Sequence, residues 1–316
     1  MILDALVQFC EMFVVLAAAP LLVGYVRRIK ALLLGRRGPP LVQPYRDLLR
    51  LIRKEVVLAH SASWLFRVAP YLIFAATWVA AALVPTFATG LLFSYAVDMI
   101  AIVALLGSAR FMLALAGLDV GTSFGGIGSS REMMIASLAE PAMLLIVFTV
   151  ALVAGTTQLS AVATLFSTAS IGLRVSLGLA LFAMMFVGIA ENARIPIDNP
   201  ATHLELTMVH EAMVLEYSGR HLALIELSTA LKLLLYVSLI ACLFAPWGMA
   251  RPDAGIVAIL IGLATYLGKL AVGATLLAVF ETSIAKMRVF RVPDFLGVAL
   301  MLGLLATLLM FVARSH

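Results

Sequence analysis

An all-α, polytopic membrane protein is the fold class this sequence predicts, and three observations predict it. Of its 316 residues, 63% are hydrophobic and 12% charged, whereas a soluble domain carries about a quarter charged residues. Mean hydropathy is +1.10. Apolar runs long enough to span a bilayer recur along the chain, with Lys and Arg gathered in alternate connections. Too little polar surface remains to cover a water-soluble core of this size, so lipid must face much of the apolar surface.

Eight apolar runs reach the roughly 20 residues that a spanning helix needs. They are residues 3–26, 67–89, 93–117, 133–155, 170–191, 222–246, 255–280 and 294–313. The first begins at Ile2 with no basic stretch before it, so it reads as a retained helix and not as a cleaved signal. No internal repeat, low-complexity tract or linker divides the chain, which predicts a single membrane domain over 1–316.

The basic residues set the expected orientation. Arg27, Arg28, Lys30, Arg36, Arg37, Arg46, Arg50, Arg53, Lys54 and Arg67 lie in the first loop. Arg131 lies in the third, Arg194 and Arg220 in the fifth, and Lys286, Arg288 and Arg291 in the seventh. The positive-inside rule then puts the odd-numbered loops in the cytoplasm and both termini on the outer side of a cell (inner) membrane. The net charge of +5 follows from this topology, and no nucleic-acid partner is expected.

In the first loop, Tyr45, Leu48, Leu49, Ile52 and Val56 recur at helical spacing, with Arg46, Arg50, Arg53 and Lys54 on another face. Pro44 suits a first helical turn. This pattern predicts an amphipathic helix at the membrane surface or a docking face for a soluble partner.

The fifth loop is rich in acids: Glu191, Asp198, Glu205, Glu211 and Glu216, with Glu226 at the mouth of the next span. Thr202 and Glu205 fit a capping box, which predicts a short helix with Glu205, Val209, Ala212 and Glu216 on one stripe and His203, Thr207 and His210 on another. Glu205 as a simple cap and the histidines as ordinary loop residues are the plainer readings. Clustered acids near a low-dielectric surface titrate together and can exchange protons.

Charges also fall within or beside spans: Asp98, Arg110, Asp119, Glu132, Glu140, Arg174, Lys232, Lys269 and Glu281. Each costs about 2.5–3.5 kcal/mol at a helix centre, so such residues face a bundle interior or a hydrated cavity. Glu140 stands out because Pro141 follows it and frees a backbone carbonyl. Lys232 and Lys269 lie well inside apolar runs and are candidate partners for it. Ion pairs that only lock helices together are the plainer reading.

Other chemistry has little support. The glycine-rich stretch 117–131 follows a membrane helix and not a strand, so it reads as a flexible, closely packed loop and not as a phosphate cradle. Cys10 and Cys242 form no CxxC pair and read as two buried small hydrophobes, with no metal site expected.

These segments together resemble the membrane subunit shared by respiratory complex I (its subunit 1) and the energy-converting group 4 nickel–iron (NiFe) hydrogenases, which include formate hydrogenlyase and hydrogenase-4. In the first loop the likeness rests on Gly38-Pro39, Gln43-Pro44, Asp47-Leu48 and Lys54-Glu55. Further on it rests on Arg131, Glu140-Pro141, Glu191-Asn192, Arg194, Pro196, Asp198, Pro200, Glu205 and Glu216-Tyr217-Ser218-Gly219. The stretches THLELTMVHEAMVLEYSG and LDVGTSFGGIGSSREMMIASLAEP are similar to the hydrogenase branch.

The resemblance implies a non-catalytic subunit of an oxidoreductase complex, anchoring a peripheral arm and coupling it to proton movement. Implied partners are hydrogenase-like large and small subunits, a ferredoxin-like iron–sulfur subunit and antiporter-like membrane subunits. Those partners would hold the NiFe centre and the iron–sulfur clusters, with no cofactor in this chain. Glu140, Glu191, Asp198, Glu205, Glu211, Glu216, Lys232 and Lys269 are the expected proton relay, with Arg194 pairing carboxylates. Gln43, Pro44, Arg46, Asp47, Arg53, Lys54, Glu55, His203 and His210 are the expected partner-facing loop. In the alternative, a complex I-like NADH:quinone oxidoreductase, the same loop residues would line a quinone chamber. An independent transporter and a purely structural anchor are further readings.

Overall fold

The computed structural model of this protein describes residues 2–90, 98–168, 175–194, 209–250, 255–285 and 291–315. Its elements are helices: α1 (Ile2–Leu33), α2 (Gln43–Ile52), α3 (Trp64–Leu83), α4 (Met99–Asp119), α5 (Ser123–Ala154), α6 (Leu159–Thr168), α7 (Val175–Glu191), α8 (His210–Val214), α9 (Gly219–Phe244), α10 (Ile256–Ser283) and α11 (Val292–Ser315).

Seven of these helices are long and apolar enough to cross a membrane. They coincide with seven of the eight predicted spans. The remaining predicted span, 170–191, is described from Val175 as the 17-residue helix α7, at the short end of what spans hydrocarbon. Local chemistry sets several starts. Ser63 accepts from the Leu65 N–H at 3.1 Å, Asp98 from Ile100 at 2.8 Å and Thr122 from Gly125 at 3.2 Å, each meeting a donor that a helix start leaves unpaired. The surface helix α2 forms within the stretch that the periodicity predicted, with Pro44 at its beginning, but it ends at Ile52, so Arg53, Lys54 and Val56 lie beyond it.

Two sequence expectations are corrected. Residues 123–131 are not a loop: α5 begins at Ser123 and runs for 32 residues, about 48 Å. Its glycines serve close packing. A Cβ on Gly125 would stand 2.1 Å from the Gly117 carbonyl oxygen, and one on Gly128 would stand 2.9 Å from the Ala212 Cβ. Cys10 is exposed on the outside of α1, near Phe9 and Phe13, and only Cys242 is buried. The outward stripe of a spanning helix faces lipid, so apolar character there does not imply burial in protein.

Helix α9 is the hub, touching α1, α2, α3, α6, α7 and α10. Its span is 61% buried, against 17% for α10 and 28% for α11. The connections sort onto two faces. On one, the Val57 N–H and Ser218 Oγ meet at 2.8 Å, and the Ser63 N–H donates to Asp119 at 2.8 Å. This is the basic face, which carries the first, third and fifth loops. On the other, the Thr89 N–H donates to the Ala250 carbonyl at 3.0 Å and the Met99 N–H to Thr157 at 3.1 Å. The alternation read from Lys and Arg thus has a structural counterpart.

Gly125→Ala is expected to destabilise the chain by about 1–3 kcal/mol through overpacking. Gly126→Ala, whose Cβ would meet nothing within 4 Å, is the neutral control. Thermal unfolding in detergent separates the two.

Candidate functional site

The chemistry-bearing residues converge at Arg110, in the middle of α4. Its side chain is 2% exposed. The guanidinium forms an ion pair with Glu191 at the end of α7. It also lies 3.4 Å from Glu132 and 3.6 Å from Glu140, both on α5. Lys232 of α9 reaches the second oxygen of Glu191 at 2.9 Å. Four helices therefore meet through one charge network. Two basic side chains thus face three carboxyls. A planar guanidinium with five donors suits the hub of such a network.

Glu140 occupies the outer edge of this cluster. Its side chain is 45% exposed, and it lies over Gly107, where a Cβ would approach its Oε1 to 3.3 Å. Ser108 and Ser137 are exposed beside it, and Pro141 leaves the Ser137 carbonyl without its helical donor. A carboxyl thus opens sideways from the bundle at the depth of the spans.

A cavity of about 540 Å³ opens between α1, α2, α9 and α10 on the basic face. Arg27, Lys30, Asp47, Arg194, Glu211, Glu226 and Glu281 line it together with Pro44, Leu48 and His210. A smaller cavity of about 30 Å³ lies deeper, lined by Arg110, Glu132 and Lys232. His210, Ile225 and Thr229 line both. The His210 ring stands 3.4 Å from the Thr229 hydroxyl. The smaller space is the size of about one water molecule. Polar groups are therefore continuous from the basic face to the cluster.

A second ion pair closes the α10 side of the large cavity. Glu281 is buried and lies 2.6 Å from Lys30 and 3.6 Å from Arg194. Helix α7 ends in a left-handed turn at Ala193, φ 47°, which turns Arg194 toward Glu281. Burial pushes the Arg194 guanidinium down from its usual value, and the Glu281 charge opposes that shift.

Several expected site residues take other places. Arg194 pairs with Glu281 on α10 and, among the described residues, not with Glu191, Glu211 or Glu216. Lys269 is remote from Glu140: its ammonium donates to the carbonyls of Ala245 and Trp247 at the end of α9. Glu211 opens α8, while Glu216 lies beyond that helix. Asp198, His203 and Glu205 lie outside the described residues. Gln43 donates to Asp47 at 2.9 Å, and Arg46, Arg53, Lys54 and Glu55 are all exposed on the basic face. Among the described residues no group of His, Cys, Asp and Glu could hold a metal ion.

The central part of Arg110, Glu132 and Glu281 was not legible in the sequence. Arg110 is isolated in its apolar run, and helical spacing alone does not reveal partners on other helices. Arg110→Met leaves three carboxyls with one cation, and losing one side of a buried pair costs about 3–5 kcal/mol. Reduced thermal stability of the purified complex is the expected result, with less loss for Arg110→Lys.

Known proteins share both the sequence pattern and the fold. The family model described as NADH dehydrogenase matches residues 6–313. Formate hydrogenlyase subunit 4 of Escherichia coli (strain K12) is 33% identical over 292 residues, covering 92% of this chain and 94% of that protein. Hydrogenase-4 component C of the same organism is 34% identical over 277 residues, 87% of this chain and 86% of the relative. NADH-quinone oxidoreductase subunit 8 of Rhodothermus marinus is 29% identical over 255 residues, 76% of this chain and 72% of the relative. A chain of the membrane-bound sulfane sulfur reductase, an archaeal respiratory membrane complex, has the same fold, with a TM-score of 0.81 at 17% identity, covering 97% of this chain and 99% of that one. With a match across nearly its whole length, this chain belongs to the NADH dehydrogenase family, that of complex I subunit 1.

Proposed function

We propose that this chain is the membrane-anchoring and proton-coupling subunit of a group 4 NiFe hydrogenase-type complex in the cell inner membrane, with the basic face in the cytoplasm. The observation that carries this reading is the polar continuity from the large cavity, past His210 and Thr229, to Lys232, Arg110, Glu132, Glu191 and Glu140. Identity above 30% to the two hydrogenase-complex subunits supports the branch.

Each part has a role in this reading. The exposed α2 and the loop around Arg53, Lys54 and Glu55 offer a docking surface for hydrogenase-like large and small subunits and a ferredoxin-like iron–sulfur subunit. Those partners carry the NiFe centre and the iron–sulfur clusters. Glu211, which lines the cavity, gathers protons in this reading together with Asp198, Glu205 and Glu216, its neighbours in the sequence. Redox events in the arm change the charge near the cavity, and the coupled cluster responds by taking up or releasing a proton. Glu140 then passes the change to an antiporter-like membrane subunit, which covers it. Such cover is needed because a carboxyl facing hydrocarbon is costly.

A second reading has one specific observation behind it. The cavity of about 540 Å³ is within the size range of small-molecule sites, and a relative at 29% identity is named for quinone reduction. In that reading the cavity holds a quinone headgroup near Pro44, Asp47 and His210. Electron transfer that depends on added quinone, and is lost in His210→Leu, would favour it.

Glu140→Gln in the intact complex is expected to cut proton movement per electron by on the order of tenfold. Gradient formation in sealed vesicles measures this, and parent-like ratios in both Glu140→Gln and Glu191→Gln would remove the cluster from the mechanism. For orientation, single-cysteine variants in a Cys10→Ser, Cys242→Ser background are treated with an impermeant maleimide. Trp247→Cys is expected to react in intact cells and Arg37→Cys only after permeabilisation.

A further inference from the structure

One fully buried carboxyl lies in the half of the bundle that the Arg110 cluster does not occupy. Glu11 on α1 is 1% exposed. About 24 Å of helix rise separates it from Arg27 at the basic face. Its Oε1 accepts from both the backbone N–H and the hydroxyl of Thr86 at 2.6 Å, and its Oε2 from the Gln8 amide at 3.4 Å. Among the described residues no Lys, Arg or His lies within ion-pair distance of it. Thr86 belongs to the buried, non-helical stretch 84–89 between α3 and α4, which pairs with Ala250 at the opposite face.

The surroundings are organised around this carboxyl. Tyr266 of α10 and Cys242 of α9 are both within electrostatic reach of it. The Tyr266 hydroxyl meets Ser238 at 2.9 Å. Lys269 is committed to the carbonyls that end α9. Between this layer and the Arg110 cluster stands Tyr236, whose ring would meet a Cβ on Gly188 at 3.2 Å. Hydroxyl groups thus occupy the interval between the two ionisable layers.

A structural role alone would not call for an acid. The Thr86 N–H needs one acceptor oxygen, which the neutral side chain of Gln supplies without carrying an ionisable group into the span. Ionisable groups kept at such depth mark ion or proton pathways.

We propose that Glu11 is a second proton-exchange site of this chain, serving the face opposite the cluster through the Thr86 hydroxyl. As the Glu11 carboxyl gives up its proton, the Thr86 hydroxyl accepts it and passes its own proton to water at that face; uptake runs the same exchange in reverse, and the hydroxyl ends unchanged. The inference rests on the proton-coupling reading above and extends it: the chain would carry titratable sites toward both faces.

The test uses the intact complex in sealed vesicles, with gradient formation per electron as the readout. Glu11→Gln keeps an acceptor for Thr86 but cannot exchange a proton, and is expected to lose most of the gradient. Glu11→Asp is expected to restore part of it. A parent-like gradient in Glu11→Gln overturns the proposal. If Glu191→Gln abolishes the gradient in the same experiment, the proton-coupling reading stands without Glu11. A second measurement needs no variant. Dicyclohexylcarbodiimide adds to protonated carboxyls in apolar surroundings, so an adduct on Glu11 that declines as pH rises is expected by mass spectrometry. Its absence at every pH overturns the proposal as well.

Discussion

The ion pair between Arg110 and Glu191 is the contact on which the rest of the arrangement depends. It joins α4 to α7, and through Lys232, Glu132 and Glu140 the same charges join α9 and α5. In hydrocarbon a lone guanidinium is costly, while in a network each charge finds its counter-charge and hydrogen bonds together. The helices cannot separate without exposing those charges, so the cluster constrains packing and chemistry at once. Such networks are not strong stabilisers compared with well-packed apolar residues. Their retention at the centre of a bundle accords with a role in moving charge.

Close helix approach makes that network possible. Glycines at 117, 125 and 128 let α4, α5 and the segment around Met213 come together with no Cβ between them. Small residues at helix contacts are how membrane bundles gain dispersion, since lipid tails provide little hydrophobic drive between helices. Where glycine brings the backbones together, Ser129 can donate to the Ala114 carbonyl at 2.9 Å, and Arg110 comes within reach of α5. The sequence feature read as a loop is in fact what packs the site.

The two faces of the bundle are built differently. The basic face has a cavity, a surface helix and paired charges at Glu281. The opposite face closes over itself: the stretch 84–89 is buried, and Glu11 and Lys269 complete its unpaired N–H and carbonyl groups. Each side chain replaces a partner that a helix would have provided. That asymmetry fits a subunit that communicates chiefly through its basic face and through the lateral opening at Glu140.

Composition and periodicity determined much of this protein by themselves. Hydrocarbon thickness imposes a minimum run of apolar residues, so the rough positions of seven spans were legible in the chain. The charge rule likewise sorted the loops, and the amphipathic period located α2. Span ends were less legible, because α1 and α5 continue as helices beyond the hydrocarbon, where apolar content no longer reports them. Only the tertiary structure decided which charges meet. Arg110 finds Glu191, Arg194 finds Glu281, and Lys269 finds backbone carbonyls, each across different helices. Pairing across helices depends on rotation and close approach about each axis. One-dimensional spacing holds no record of either, and so Glu11, hidden in an apolar run, acquired meaning only when Thr86 folded against it.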